Sequence, residues 1–402
     1  MQERSDTVKA IIIGGGIAGP VTALALQRAG IEAVVHEAHD GPATSRGLFL
    51  GLGVNGMRVL EDLGVLDTVI RSGAIPTPTL TFWSGTGKRL GSVSNGRLPS
   101  GVPSVTIMRG DLQRALTEAA RARGIDVRYG ERFVAYKETG GGVAARFEDG
   151  SVAAGDILIG ADGIHSRVRA LMSPDAPPPS YVGLVNLGGV AQGTALAPTP
   201  DSMHMVWGKR AFFGYTVLPG GEARWFANMG VWPEPRRREL DAVPTADWKR
   251  RLRDLFREDP PHLVEMIERT EEIGAFPIHD LPSIPRWHHR RVVLVGDAAH
   301  AVSPSSGQGA SLAMEDALML AKCLRDIPEP EAAFARYEAL RRPRAERIVA
   351  VGRKRGEYKA LRSRTAVWFR DLVMPVALRL FAREGAMSWI HDYTIPWDEH
   401  AA

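Results

Sequence analysis

The stretch RRVVLVGDAAHAVSPSSGQGASLAMEDALMLA (Arg290–Ala321) decides the fold. Four apolar β-formers run into Gly296-Asp297. A loop of small residues follows, with Pro304 and the Gly307-Gln308-Gly309 triplet, and then an apolar segment with helical periodicity. This is a strand, a tight turn and a helix N-terminus, a geometry that presents backbone N–H groups to an anion. A second such turn stands near the start of the chain, in KAIIIGGGIAG (Lys9–Gly19). A chain with two of them holds either two ligands or the two ends of one long ligand.

In the first turn, Gly14, Gly16 and Gly19 fall in G-x-G-x-x-G spacing, with Ile17 and Ala18 opening the helix. The first glycine makes the turn, the second lets a pyrophosphate approach the backbone, and the third lets helix and strand pack closely. Such a unit needs an acid about 20 residues on to bind a ribose hydroxyl. Glu37, closing EAVVHE, supplies it. A tight turn without a ligand is the plainer reading, but strand, helix and acid together favour a Rossmann-like dinucleotide site. Two rival matches fail. GLGVNG (Gly51, Gly53, Gly56) lacks a long preceding strand and a following acid, so it reads as close packing of a short helix. GTGKRL lacks the first glycine and the Ser/Thr of a phosphate loop, and no G-x-S-x-G nucleophile elbow occurs.

The second turn binds differently. A carboxylate on Asp297 can accept hydrogen bonds from sugar-alcohol hydroxyls. Pro304 and the Gly307–Gly309 loop can lie flat against a ring, with the positive end of the following helix close by. One ligand with an adenosine diphosphate at one end and a sugar alcohol and ring at the other is FAD. Asp162-Gly163, in DILIGADGIHSRVR, is by itself a turn signal; standing between the two glycine turns, it reads as part of the same site.

Composition sets wide bounds. With 402 residues, 44% hydrophobic and 24% charged, the chain is an ordinary globular protein of two or three domains. A net charge of +4 gives no reason to expect a nucleic-acid partner. The excess is local: Arg341–Arg383 carries 13 Lys/Arg against three acids, which reads as a solvated helical surface or as an attractor of an anionic substrate or a membrane face. A single cysteine, Cys323, makes no disulfide or thiolate metal site, and the histidines show no HExxH spacing, so metal is not expected. The polar N-terminus and the lack of a long apolar run point to a cytoplasmic protein without a membrane span.

The fold expected is α/β: a Rossmann-like FAD-binding domain with an inserted, mainly antiparallel substrate sheet and C-terminal helices. Residues 1–175 and 286–355 are the two parts of the FAD-binding domain, with short β insertions near 76–106. The Pro-rich SPDAPPPS (Ser173–Ser180) marks a boundary, and 176–285 forms the substrate sheet followed by a helical stretch over Ala246–Arg269. Residues 356–402 form a C-terminal helical segment.

In this order and spacing, GxGxxG, the Asp-Gly pair and GDAAH…P…GQG resemble the single-component FAD-dependent aromatic hydroxylases of the p-hydroxybenzoate hydroxylase-like fold. The resemblance spans about Val8 to Arg355. It implies non-covalent FAD held by the residues already named and by Arg109, which matches an Arg-x-x-Leu helix start, with Arg46 as a looser match for a cofactor-contacting arginine. Ser311 stands where many members carry Asn. The resemblance also implies NAD(P)H as a transient co-substrate and O₂ activated as a flavin C4a-hydroperoxide that oxygenates an electron-rich aromatic or polyketide-like small molecule. The middle sheet sets that substrate. His204, Trp207, Phe213, Asn228 and Met229 are its candidate pocket residues, and Tyr215 is the candidate catalytic phenol. Other readings stay open: an epoxidase, halogenase or double-bond reductase on the same fold, or a flavin-binding interaction protein without turnover.

Overall fold

The structure, a computed structural model, describes residues 8–42, 49–357, 372–374 and 388–401. Its described residues form four sheets, of which the two largest frame the site. In the six-stranded one the strands run in the order His288–His289, Val292–Leu294, Ile157–Gly160, Lys9–Ile13, Glu32–His36 and Asp126–Arg128. All neighbours are parallel except the first pair. Strands covered on both faces read as unbroken apolar runs, and Ile11, Ile12, Val35, Leu158 and Val293 are accordingly buried. Helix Ala18–Arg28 packs against helix Gly309–Asp326 over this sheet, so both glycine turns open at one edge.

The second sheet has seven strands: Gly274–Asp280, Ser180–Ala191, Ala223–Gly230, Phe212–Val217, Ser202–Trp207, Thr79–Ser84 and Arg89–Ser94. It is antiparallel except where Ser202–Trp207 lies parallel to Thr79–Ser84. The hairpin read from the sequence as an insertion in the first half therefore completes a sheet whose other strands come from the middle of the chain. One face of this sheet carries its own core, Phe213, Trp225 and Leu187 packed on Trp248, Phe256 and Met266. The single helical stretch expected over Ala246–Arg269 is two helices, Thr245–Phe256 and Pro261–Glu268. Pro260-Pro261 breaks it, because proline has no N–H for the helix ladder and restricts the residue before it. Among the described residues no helix is long and apolar enough to cross a membrane.

Candidate active site

A cleft of about 1910 Å³ runs between the two sheets. That exceeds the roughly 300–1,000 Å³ of a site for one small ligand. One end is the first glycine turn. Gly14 has φ +110°, and a β-carbon there would overlap the Ala161 carbonyl, so this turn and the Asp162-Gly163 turn lie backbone to backbone. A β-carbon on Gly19 would overlap the carbonyl oxygen of Gly14, whereas Gly16 faces open space. The helix is thus seated on the turn while the cleft side stays bare. Glu37 lines the cleft at the end of its strand. Its Oε2 accepts from the Gly15 N–H at 2.6 Å and its Oε1 from the His39 N–H at 3.0 Å.

Gly14, Gly16, Ile17, Ala18, Glu37, Arg109, Asp162, Asp297, Pro304, Gly307, Gln308 and Gly309 all line this one cleft. Gly19 does not reach it and acts through packing; Arg46 lies outside the described residues. Asp297 is exposed to the cleft, and its carboxylate has no hydrogen-bond partner among the described residues. Enclosure on its other sides pushes this carboxyl above the usual range, and the Arg109 guanidinium and His300 pull it back. An open acceptor beside a bare Gly307 (φ +67°) suits a polyhydroxyl chain leading to a ring. FAD fits these residues. Asp162 behaves differently from its expected part in cofactor binding. Its carboxylate is taken up by Ser166 Oγ (2.5 Å) and the N–H groups of Arg167 (2.7 Å) and Val168 (3.1 Å), so it fixes the start of helix Arg167–Met172 while its backbone borders the cleft.

Several supporting residues escaped the sequence reading. Gln113, four positions after Arg109 and so on the same helix face, donates from Nε2 to the Gly15 carbonyl at 2.7 Å. Asp316 accepts from the Gly296 N–H at 2.9 Å, from Arg341 Nε at 2.8 Å, and pairs with His300 Nε2 at 2.5 Å. Burial would raise the Asp316 carboxyl, but His300 and Arg341 outweigh it and hold it well below the usual range. Arg341 Nη1 also lies 2.6 Å from Glu315 Oε2, off the line of its N–H bond. Glu315 in turn binds Arg344 (2.8 Å) and accepts from Asn55 Nδ2 (2.6 Å), which also donates to Gln308 Oε1 at 2.9 Å. The start of the basic run is therefore neither a solvated face nor an anion attractor. Arg341 is fully buried, and its charge fastens the second glycine turn from below. GLGVNG is packing: a β-carbon on Gly56 would press into Ser311, whose Oγ accepts from the Gly53 N–H at 3.2 Å.

The far wall of the cleft is the seven-stranded sheet, and here strand parity corrects the sequence reading. Side chains alternate faces along a strand. Met203, Met205 and Trp207 line the cleft, so His204 points the other way; Phe212 lines it, so Phe213 and Tyr215 do not. Tyr215 is buried on the reverse side, its hydroxyl between His204 Nδ1 (3.0 Å) and His262 Nε2 (3.2 Å). Burial pushes its phenol up to about 12 and, with the charge of His262, brings His204 down to about 4, so both are neutral near pH 7. Met229 packs on the same reverse core. Of the candidates, Trp207 lines the cleft and Asn228 sits on the cleft-facing row, buried behind Asn186. The expected result for Tyr215→Phe is unchanged kcat/KM with a loss of about 0.5–1.5 kcal/mol in unfolding free energy. A large fall in turnover would return Tyr215 to the site.

A cleft with two glycine turns at one end and an apolar sheet at the other suits an FAD enzyme of aromatic compounds, and the relatives of this chain make the class that of the FAD-dependent monooxygenases. The family described as "FAD binding domain" matches residues 7–351, and the chain belongs to it. It is 33% identical over 378 residues to the aurachin C monooxygenase/isomerase of Stigmatella aurantiaca, covering 90% of this chain and 93% of that protein. It is 31% identical over 380 residues to the FAD-dependent urate hydroxylase of Klebsiella pneumoniae, covering 91% and 94%. Among solved structures, Klebsiella pneumoniae HpxO complexed with FAD and uric acid superposes with a TM-score of 0.83 at 26% identity, covering 95% of this chain and 96% of that one. FAD is the cofactor.

Proposed function

We propose that the protein uses NAD(P)H and O₂ to place one oxygen atom on an electron-rich aromatic or heteroaromatic ring. The observation that carries this reading is the continuity of the cleft from the glycine turns to a wall of Met203, Met205, Trp207, Phe212 and Phe226. The names of relatives point the same way: 6-hydroxynicotinate, urate and 3-amino-4-hydroxybenzoate are all small substituted rings.

Bound FAD would supply the redox chemistry, accepting electrons from a nicotinamide donor and passing them to oxygen. The chain's own residues do the rest. Glu37 and the first turn would hold the nucleotide end, while Asp297 would hold the sugar alcohol. The Pro304–Gly309 loop, at the positive N-terminal end of helix Gly309–Asp326, would set that positive end beside the ring. The aromatic wall excludes water and orients the substrate. The sequence carries no second G-x-G-x-x-G with its acid, so no separate Rossmann site for the reductant is read from it, and a transient visit of NAD(P)H to this cleft is what the family resemblance implies.

The test is turnover under labelled oxygen gas with mass analysis of the product. One labelled atom per product is expected. A product formed at full rate without oxygen, or labelled only from water, would shift the reading to a reductase on the same fold.

A further inference from the structure

The cleft-facing side of the large sheet is apolar over Leu80, Met203, Met205, Phe212 and Phe226, and Asn186 interrupts it. Register places Asn186 opposite Phe276 on one neighbouring strand and Asn228 on the other, with Phe212 next in the row. Asn186 is 7% exposed and Asn228 2%. Asn228 Nδ2 donates to Asn186 Oδ1 at 2.7 Å, which occupies the acceptor end of the Asn186 amide. The donor end, Nδ2, has no partner among the described residues, and Asn186 lines the cleft.

The position matters as much as the chemistry. A β-carbon on Gly356 would lie 3.8 Å from Ser305 Oγ and 3.9 Å from Leu184 Cδ1. The end of helix Pro330–Glu357 thus touches both the Pro304–Gly309 loop and the strand that carries Leu184 and Asn186, and both border the same cleft. Solvent meets the amide while the cleft is open. A ring that displaces this solvent must bring an acceptor of its own, or leave the donor stranded. Two cations that line the cleft have acids near them: Arg237 pairs with Asp241 at 2.9 and 3.0 Å, and the Arg109 charge acts on Asp297. Lys354, the other cation lining this part of the cleft, stands exposed near the end of helix Pro330–Glu357.

We propose that Asn186 is a specificity-determining residue, whose Nδ2 donates a hydrogen bond to an uncharged acceptor on a flat aromatic substrate. The acceptor is a ring oxygen substituent or ring nitrogen, and Asn228 sets the orientation of the amide. A carboxylated ring gains no ionic partner from this row of the wall, which carries no cation among the described residues.

This inference rests on the monooxygenase reading, and a binding experiment separates the two. FAD-loaded protein is titrated with naphthalene, 2-naphthol and 3-hydroxy-2-naphthoate, following perturbation of the flavin absorbance. In the wild type, 2-naphthol is expected to bind roughly tenfold tighter than the other two. In Asn186→Leu its advantage over naphthalene disappears. Asn186→Asp keeps the size and the bond from Asn228 but turns the donor into an acceptor, so it should also lose the advantage while remaining folded. Equal binding of all three by the wild type, tightest binding of the carboxylate, failure of 2-naphthol to bind, or an advantage that survives in both variants would overturn the proposal. Labelled-oxygen turnover with unaltered selectivity in the variants would leave the monooxygenase reading standing and remove only this one.

Discussion

Arg341→Met is expected to lower the unfolding free energy by about 3–5 kcal/mol, the usual result of removing one partner from a buried ion cluster. Arg341 is fully buried, and the substitution removes a cation that two buried carboxylates share, leaving Glu315 to Arg344 and Asn55 and Asp316 to His300 and the Gly296 N–H. The loss should be read as a fall in the urea midpoint of FAD-loaded protein, with flavin released earlier than in the wild type, because Asp316 also holds the Gly296 N–H. The sign of the pH dependence follows from the Asp316 carboxyl, which lies below its ordinary range. A depressed carboxyl contributes stability above the unfolded value, about pH 4, and loses it as pH falls further. The gap between variant and wild type should therefore narrow under acid. A midpoint unchanged at pH 7 would mean that the cluster is not the fastening described above.

Asp297→Ala is expected to weaken FAD binding roughly ten- to a hundredfold, equivalent to about 1.5–3 kcal/mol for a hydrogen bond to a charged group. Asp149→Ala is the control, since that carboxylate is exposed and serves only Ser151 in a turn between strands. A further measurement separates a binding group from a structural one. Enclosure raises the Asp297 carboxyl, so holding it ionised at neutral pH works against the fold. The apo form of the variant should be no less stable than apo wild type even as its flavin affinity drops. Equal flavin content in both variants, or a less stable apo protein, would remove Asp297 from the cofactor site.

What the sequence made legible was local in origin. The parallel strands announced themselves because burial on both faces leaves no polar positions, and the glycine turns because only glycine tolerates the contacts at Gly14 and Gly19. The substrate wall was not legible, for a related reason. Strand Phe212–Val217 is buried at every position, so its pattern carries no parity and cannot say whether Phe212 or Phe213 faces the cleft. Tyr215 was chosen for its chemistry, and the wrong face was the result. Arg341 was hidden by its neighbours: a basic run looks solvated until its acidic partners turn up on another helix. Asn186 gave no signal, being one amide within a long apolar strand.

The parallel pairing of Thr79–Ser84 with Ser202–Trp207 bears on how the molecule is assembled. Hairpin residues made early must wait for strands made much later, and such distant pairings are slow to form. The substrate wall is therefore not a module that could be excised or exchanged by cutting at the Pro-rich boundary. A fragment of residues 176–285 would carry Ser202–Trp207 as a bare edge, open to strand addition by another copy of itself.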